Sequence, residues 1–395
     1  MNWQQVKLGE IFEIARGGSP RPIDQYITDD PNGLNWISIK DASNSSKYIY
    51  KTEKKIKPEG LHKTRLVHPD DFLLTNSMSF GRPYIMKTTG CIHDGWLVLS
   101  ADKSRVDTDY FYHLLGSDFM YRKFAGLAAG AVVKNLNTEL VKSISVPLPP
   151  LTEQRRIASI LDNADELRQK RQQAIEKLDQ LLHSTFIDMF GDPVSNPKEW
   201  KIDSLNNYGS YKNGLNFGKG ETGNQVLYIG VGDFKQLSKI DDISKLSTIQ
   251  LNQLPSDDYF IKDGDLLFVR SNGNKELVGR CVVVYPKGKQ ITYSGFCIRY
   301  RVEKLELTGP YLVHLFRTKS FKQTIFDAGQ GANIQNINQQ LLSQLKIPVP
   351  PKDLQEKWAE ILLSLEDQKQ RLYKQLDIQN QLFSSLQNQA FSGTL

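Results

Sequence analysis

The chain has 395 residues, of which 39% are apolar and 24% charged, and its formal net charge is +6. This length suffices for two domains of ordinary size, and the composition is that of a soluble globular protein, for which we expect a cytoplasmic location. The apolar runs are too short to cross a bilayer, the N-terminus has no signal-peptide core, and Cys91, Cys281 and Cys297 form no CxxC pair, which argues against a membrane protein, a disulfide framework and a zinc site.

The first half begins with a strand-rich segment, residues 1–150, which we interpret as one mixed α/β domain. A second segment of the same kind covers residues 192–351. In each of them the pattern also predicts one short helix, over Asp109–Phe124 and over Pro310–Phe326. The predicted strands include Trp36–Ile39, Phe72–Thr75, Trp96–Leu99, Val226–Ile229, Leu266–Val269, Val282–Tyr285 and Cys297–Val302.

Each domain is followed by one long predicted helix, over residues 151–191 and 352–395. Proline-rich segments precede both helices, Thr152 and Asp353 lie at the predicted N-caps, and Gly191 is the predicted C-terminal stop of the first. The two helices share an apolar 4-3 repeat, which is typical of a coiled-coil seam. The predicted seam residues are Ile157, Leu161, Ile175, Leu178, Leu182, Trp358, Leu362, Leu365, Leu372, Leu376, Phe383 and Leu386.

The two halves repeat one another. Gly130 and Gly331, Asn135 and Asn336, and the pairs Pro149-Pro150 and Pro350-Pro351 all lie 201 positions apart, and Gln154 matches Gln355 at the same offset. A repeat of this length indicates a duplicated domain, because the units of solenoids usually span about 20–50 residues. We therefore predict an α+β protein with pseudo-two-fold symmetry, in which the two long helices form an intramolecular antiparallel coiled coil. The alternative is that each helix packs only on its own domain.

Loops rich in Arg, Lys, Ser, Asn and Gly recur at matching places in the two halves, although their sequences differ. Each long helix is net negative, so the basic excess of the chain lies in the domains, as expected for a polyanion partner. Such side chains suit phosphates and base edges, but Gly, Asn and Ser are also ordinary turn residues. The candidate DNA contacts are Arg16, Ser19, Arg21, Lys40, Ser77, Ser79, Arg82, Lys134, Asn135, Lys212, Asn216, Lys219, Lys235, Arg270, Ser271, Asn272, Lys275, Arg280, Gln330, Asn333 and Gln335.

No motif indicates catalysis. Residues 214–220 lack the spacing and the Ser/Thr of a phosphate-binding loop, and no Gly-rich stretch has the pattern of a dinucleotide site. The six histidines show no metal-ligand spacing, and the Pro-Pro pairs do not follow the Asn or Asp of a DNA amino-methyltransferase motif. We predict a binding protein with no catalytic residues and no metal site.

This combination resembles the specificity subunit of Type I restriction–modification systems, over the whole chain. The residues that carry the resemblance are the two junctions at 146–150 and 347–351, Leu151-Thr152-Glu153-Gln154 at the start of the first helix, Met189-Phe190-Gly191-Asp192-Pro193 before the second domain, and Gly264-Asp265-Leu266-Leu267-Phe268 within it. The second helix departs from the first at its start, where Lys352-Asp353-Leu354-Gln355 replaces the expected Leu-Thr-Glu-Gln.

The resemblance implies two target recognition domains that each read one half of a split site in double-stranded DNA, and a helix pair that fixes the spacer. It implies two copies of an adenine methyltransferase (modification) subunit as partners, together with restriction subunits. S-adenosylmethionine, ATP and magnesium are expected on those partner subunits and no cofactor on this chain. The competing hypotheses are a structural coiled-coil adaptor, a methyltransferase or nuclease fused to recognition domains, and a specificity-like protein without a functional methyltransferase partner.

Overall fold

The computed structural model describes residues 3–76, 81–128, 136–218, 220–234, 238–328 and 336–395. The chain divides into two compact units. Unit 1 contains Met1–Gln172 and Gln375–Leu395, and unit 2 contains Gln173–Lys374. Each unit therefore combines one strand-rich domain with about half of each long helix.

The domain of unit 1 is built on two sheets and a strand pair. Its strands are β1 (Gln4–Lys7), β2 (Phe12–Arg16), β3 (Ile27–Thr28), β4 (Leu34–Ile37), β5 (Tyr48–Ile49), β6 (Lys54–Ile56), β7 (Arg65–Val67), β8 (Phe72–Thr75), β9 (Pro83–Met86), β10 (Gly90–Ile92), β11 (Trp96–Ala101) and β12 (Ser145–Leu148). The strand order is β2-β11-β8-β9-β5 in one sheet and β3-β6-β4-β10-β7 in the other, and β1 pairs antiparallel with β12. Its helices are α1 (Ile39–Ser43), α2 (Thr108–Leu115), α3 (Asp118–Ala128) and α4 (Thr138–Lys142), and the first long helix is α5 (Leu151–Phe190).

The domain of unit 2 repeats this plan. Its strands are β13 (Lys201–Ser204), β14 (Gly209–Asn213), β15 (Asn224–Ile229), β16 (Lys239–Ile240), β17 (Ser247–Leu251), β18 (Asp265–Val269), β19 (Cys281–Val284), β20 (Ile291–Tyr293), β21 (Cys297–Val302) and β22 (Lys346–Val349). Its main sheet has the order β14-β21-β18-β19-β16, which matches β2-β11-β8-β9-β5 strand for strand, with the last pair parallel in both. Its helices are α6 (Gly309–Arg317), α7 (Lys319–Ala328) and α8 (Gln339–Gln344), and the second long helix is α9 (Lys352–Ser392).

The single short helix predicted in each domain is wrong, because two helices occupy that place. The helical conformation is interrupted at Ser117, between α2 and α3, and at Thr318, between α6 and α7. The Ser117 hydroxyl accepts the amide proton of Met120 at 3.3 Å, and the Thr318 hydroxyl accepts that of Phe321 at 3.4 Å. Each hydroxyl therefore caps a new helix, which the continuous apolar pattern conceals.

The predicted N-caps of the long helices are also wrong. The first helical hydrogen bonds end on the carbonyl groups of Pro150 and Pro351, so Thr152 and Asp353 lie inside the first turn. Proline suits this boundary because its fixed φ leads into the helix and its missing N–H is not needed there. At the other end of α5 the prediction is correct: Gly191 has φ of 78° and its N–H donates to Ile187 O at 2.8 Å.

A buried glutamine joins each long helix to its domain. Gln154 Oε1 accepts from Asp107 N at 2.8 Å, and its amide group donates to Arg105 O and Pro149 O at 2.8 Å each. Gln355 repeats this arrangement with Thr308 N, Glu306 O and Pro350 O. Both side chains are fully buried. The start of each long helix is thereby fixed to the loop that precedes the first domain helix packed against it.

The long helices run antiparallel within each unit. In unit 1, Arg168 Nε donates to Asn380 Oδ1 at 2.7 Å, while Arg156 Nη2, further toward the start of α5, donates to Leu395 O at 3.0 Å. In unit 2, Lys369 forms an ion pair with Asp179, and the ring centroids of Phe186 and Trp358 are 5.2 Å apart. Successive residues along α5 thus contact residues of decreasing number along α9, which is the antiparallel arrangement that we predict from the sequence.

The ends of the helices belong to the domain cores. Ile157 and Leu161 pack in the core of unit 1 together with Phe391. Trp358 and Leu362 pack in the core of unit 2 together with residues from the last turns of α5. Of the predicted seam, Ile157, Leu161, Ile175, Leu182, Trp358 and Leu362 are buried, and Leu178, Leu365, Leu372, Leu376, Phe383 and Leu386 are half-buried.

Candidate nucleic-acid interface

Loops predicted to bind DNA meet in the domain of unit 1 beside a tight turn at Asp94–Gly95. Gly17 N donates to Trp96 O at 3.0 Å, and Asn76 N donates to Gly95 O at 3.1 Å. Leu136 N in turn donates to Asn76 O at 2.9 Å, which brings the end of a third loop to the same place. We call the group formed by Arg16–Ser19, Asn76, Asp94–Gly95 and Leu136 the first polar edge.

Asp94 organises the first polar edge. Arg16 Nε donates to Asp94 O at 2.9 Å, Ser19 Oγ donates to Asp94 Oδ1 at 2.9 Å, and Arg21 Nη2 lies 3.5 Å from Asp94 Oδ2. The hydrogen bond from Ser19 is the main cause that holds the pKa of Asp94 below its ordinary value, and the nearby Arg16 adds to it. Arg21 keeps most of its side chain exposed. Three predicted DNA contacts are thus anchored by one residue that the sequence did not single out, Arg16 through the main-chain carbonyl group of Asp94 and the other two through its carboxylate.

The domain of unit 2 has an equivalent group. Gly214 N donates to Cys297 O at 3.1 Å, Arg270 N donates to Phe296 O at 2.7 Å, and Ile337 N donates to Arg270 O at 2.9 Å. These bonds correspond one by one to those of Gly17, Asn76 and Leu136. We call the group formed by Asn213–Asn216, Arg270–Ser271, Gly295–Phe296 and Asn336–Ile337 the second polar edge.

Glycine is required at the same point of both edges. A Cβ on Gly17 would lie 2.1 Å from His93 O, and a Cβ on Gly214 would lie 2.1 Å from Ser294 O. Neither distance is possible for a carbon and a backbone oxygen that are not bonded. The match of these two glycines in the sequence therefore reflects a close backbone approach, which lets the polar loop lie directly on the turn.

Polar side chains project from the second polar edge. Arg270 Nη1 donates to Gly295 O at 3.4 Å, and Ser271 pairs with Asn336 in an isolated β-bridge. Asn216 is exposed, and its Oδ1 lies so close to Gly295 that a Cβ there would be 1.9 Å away. Arg and Asn are the residues that pair with guanine and adenine edges in the major groove.

Other predicted contacts have partners within the protein. Lys40 Nζ lies 2.8 Å from Glu53 Oε2, so it forms a surface ion pair on α1. Lys212 forms an ion pair with Asp258, and its Nζ lies 4.1 Å from the centre of the Tyr259 ring. Asn272 is half-buried, and its Oδ1 accepts from Asn274 N at 2.8 Å.

Arg82 and Arg280 lie against the long helices. Arg82 lines a cavity of about 620 Å³ in unit 1, together with Asp165, Arg168 and Phe383. Arg280 is half-buried, and its burial lowers the pKa of its guanidinium, an effect that Tyr373 on α9 opposes. Each arginine follows a glycine with positive φ, 83° at Gly81 and 76° at Gly279.

The remaining predictions fall on residues that the structure does not describe. The candidates outside the described ranges are Ser77, Ser79, Lys134, Asn135, Lys219, Lys235, Gln330, Asn333 and Gln335, and the side chain of Lys275 is likewise not described. Three of these segments flank described members of the two edges in the chain: residues 77–80 follow Asn76, residues 129–135 precede Leu136, and residues 329–335 precede Asn336.

Across the described ranges, no group of three or more His, Cys, Asp or Glu residues could hold a metal ion. The three cysteines are free and buried, and burial raises the pKa of the Cys297 thiol to about 12. A search of the described helices finds none with the length and apolar character needed to span a membrane.

Comparison with known proteins identifies relatives over the whole chain. The model of the Type I restriction modification DNA specificity domain matches residues 1–177 and again residues 197–382. The Type I restriction enzyme StySPI specificity subunit of Salmonella potsdam is 25% identical over 393 residues, covering 92% of this chain and 81% of its own. The MjaVIII specificity subunit of Methanocaldococcus jannaschii is 22% identical over 385 residues, covering 93% and 86%.

Solved structures share the fold. A chain from a study of complex assembly and conformational transition of the type I R-M system has a TM-score of 0.58 at 17% identity, over 100% of this chain and 98% of that one. The S subunit of a Type I restriction-modification system from M. genitalium has a TM-score of 0.55 at 16% identity, over 99% and 96%.

Proposed function

The chain belongs to the family of Type I restriction modification DNA specificity domains, as a specificity subunit with two tandem target recognition domains, and we propose that each domain reads one half of a split DNA site through its polar edge. The observation that carries this proposal is the pair of edges itself. The same backbone bonds hold Asn76 in the first edge and Arg270 in the second, so one backbone scaffold carries different side chains at matching positions. A split site with two different halves follows from this difference.

We further propose that the chain has no catalytic residue and recruits two copies of a modification subunit, with restriction subunits in the larger complex. The repeated helix starts support the number of copies, since the buried Gln154 and Gln355 make equivalent hydrogen bonds and fix the two helix starts to their domains in the same way. S-adenosylmethionine, ATP and magnesium would then be bound by those partner subunits.

The decisive experiment is methylation-sensitive genome sequencing of cells that express this chain together with its modification subunit. We expect methylated adenines in one motif with two defined halves and an unspecified spacer. A chain exchange sharpens the test: replacing residues 1–150 with the matching domain of a relative should change one half of the motif and leave the other intact. An absence of any methylated motif, with both subunits present and associated, would favour the adaptor or a chain without a functional partner.

We also propose that the lengths of α5 and α9 set the spacer. One heptad added to residues 165–185 and one to residues 366–386 would lengthen each helix by about 10 Å. At 3.4 Å per base pair this corresponds to about three base pairs. The methylated motif of the lengthened protein should therefore contain a longer spacer between unchanged halves. The rotation of one half-site about the DNA axis should also reduce activity. An unchanged spacer in an active complex would refute the proposal.

A further inference from the structure

Phe296 exposes an aromatic ring on the second polar edge. Its side chain is 62% exposed, although phenylalanine is among the most often buried residue types. Single exposed apolar residues are common on proteins, so exposure alone indicates no function. The surroundings of Phe296 are more informative, because its neighbours in the edge include Arg270, Ser271 and Asn216, whose side chains suit base edges and phosphates.

The ring is not needed to build the turn that carries it. In unit 2, Cys297 N donates to Ser294 O at 2.8 Å and Phe296 N donates to Ser294 Oγ at 3.1 Å. In unit 1, Trp96 N donates to His93 O at 3.1 Å and Gly95 N donates to His93 Nδ1 at 2.9 Å.

The turn in unit 1 therefore has the same hydrogen bonds with glycine at the position of Phe296. The carbonyl groups of the two residues also accept equivalent hydrogen bonds: Gly95 O accepts from Asn76 N, and Phe296 O accepts from Arg270 N. Because the duplicated domain builds this edge without an aromatic ring, a role in folding does not account for Phe296. A role in contact with a ligand of this edge does.

We propose that Phe296 packs against the C5-methyl group of a thymine in the half-site read by the second domain. The inference rests on the proposed function of the polar edges. Thymine presents the one apolar group in the major groove, and aromatic and other apolar side chains recognise it by contact. Its neighbours Arg270 and Asn216 are of residue types that read bases in the major groove. A ring that acted as a wedge between base steps would instead be expected in the minor groove.

The two turns then impose different preferences on the two half-sites. Gly295 and Phe296 in unit 2 take the places of Asp94 and Gly95 in unit 1. The turn of the first edge therefore carries a carboxylate, which accepts hydrogen bonds, followed by a glycine. The turn of the second edge carries a glycine followed by an apolar ring.

The test uses the complex of the full chain with its modification subunit and a duplex that contains the methylated motif. Each thymine of the second half-site is replaced in turn by deoxyuridine, which lacks the methyl group, and binding is measured for the wild type and for Phe296→Ala. One replacement should weaken wild-type binding about fourfold, the effect of one buried methyl group. The same replacement should have no effect on the variant. Leu305→Ala, which removes a side chain that is 78% exposed in the same domain, serves as the matched control and should bind like the wild type.

The outcomes separate this inference from the proposed function. Failure of the wild-type complex to bind its motif specifically would overturn the proposed function as well. Specific wild-type binding with no loss in Phe296→Ala would overturn the inference alone. A loss in Phe296→Ala that no deoxyuridine replacement reproduces would overturn the thymine contact and indicate a wedge or backbone contact. Loss of the modification subunit from Phe296→Ala would also overturn it, because the ring would then contact protein.

Discussion

Replacing the buried glutamine at the start of α9 should destabilise unit 2. Gln355→Met keeps the size of the side chain and the helix propensity, but it removes every hydrogen bond of the amide group. Gln355 Oε1 accepts from Thr308 N at 2.9 Å, and Gln355 Nε2 donates to Glu306 O at 2.9 Å and Pro350 O at 2.8 Å. The Thr308 hydroxyl also donates to Gln355 Oε1, at 3.3 Å. The variant therefore leaves one N–H, one hydroxyl and two carbonyl groups without these partners.

The magnitude depends on which of these groups water can reach. The bond to Pro350 O is buried, whereas those to Thr308 and Glu306 lie in part-buried surroundings. A buried group without a partner costs about 1–3 kcal/mol, and a group that water can reach costs less. We therefore expect a loss of about 2–4 kcal/mol in the free energy of unfolding of unit 2.

Urea unfolding followed by the fluorescence of the buried Trp358 measures this loss, and hydrogen exchange at the Thr308 amide localises it. A loss of this size should lower the midpoint by about 1–2 M. The control is Gln368→Met on the exposed face of the same helix, which should leave the midpoint unchanged. Equal midpoints for the two variants, with no faster exchange at Thr308, would refute the structural role of Gln355. Gln154→Met should repeat the effect in unit 1.

Three further predictions follow from other contacts. Leu161→Asp places a charge in the buried core of unit 1 and should cost at least about 4 kcal/mol, so an unchanged melting temperature and intact binding of the modification subunit would contradict the packing of α5. Burial, with Arg317, Lys369 and His183 nearby, holds the pKa of His314 well below 6.5, so the unfolded chain binds a proton that the folded chain does not. Stability should be complete above pH 6.5 and decline as the pH falls below it, by up to about 1.4 kcal/mol per pH unit, and His314→Gln should reduce this slope in urea titrations between pH 7.5 and 5.5. Arg270→Ala should weaken DNA binding by about 1–3 kcal/mol and relax one half of the motif, whereas Arg280→Ala should lower stability and leave the motif unchanged in methylation sequencing.

The repeated architecture could be predicted from the sequence because its signals are local and occur twice. Proline pairs before each long helix and the glycine after α5 mark boundaries by backbone conformation alone. The strands Phe72–Thr75 and Cys297–Val302 have the bounds that their apolar runs predict. The 4-3 spacing places every predicted seam residue in a buried or half-buried position.

The rest depends on contacts that have no local signal. Ser117 and Thr318 end one helix and cap the next. A sequence with one hydroxyl residue inside an apolar helical pattern is equally compatible with a single continuous helix. The positive-φ turns at Gly81 and Gly279 redirect the arginines that follow them, and the sequence does not show toward which surface. Asp94 joins residues that are 73–78 positions away from it, so its role appears only in three dimensions.

Comparison of the two halves separates the residues that build the scaffold from those that differ at its edges. Identical residues at matching positions have partners inside the protein: the Asn137 and Asn338 side chains cap α4 and α8, and the hydroxyl groups of Tyr110 and Tyr311 donate to Pro147 O and Pro348 O. At the polar edges the backbone bonds are the same while the side chains change, from Asn76 to Arg270 and from Gly95 to Phe296. A duplicated domain can keep its fold while its edge changes, because the edge is held by backbone groups that every residue carries. The side chains there are therefore free to differ between the halves, and that freedom is what two readers of unlike half-sites require.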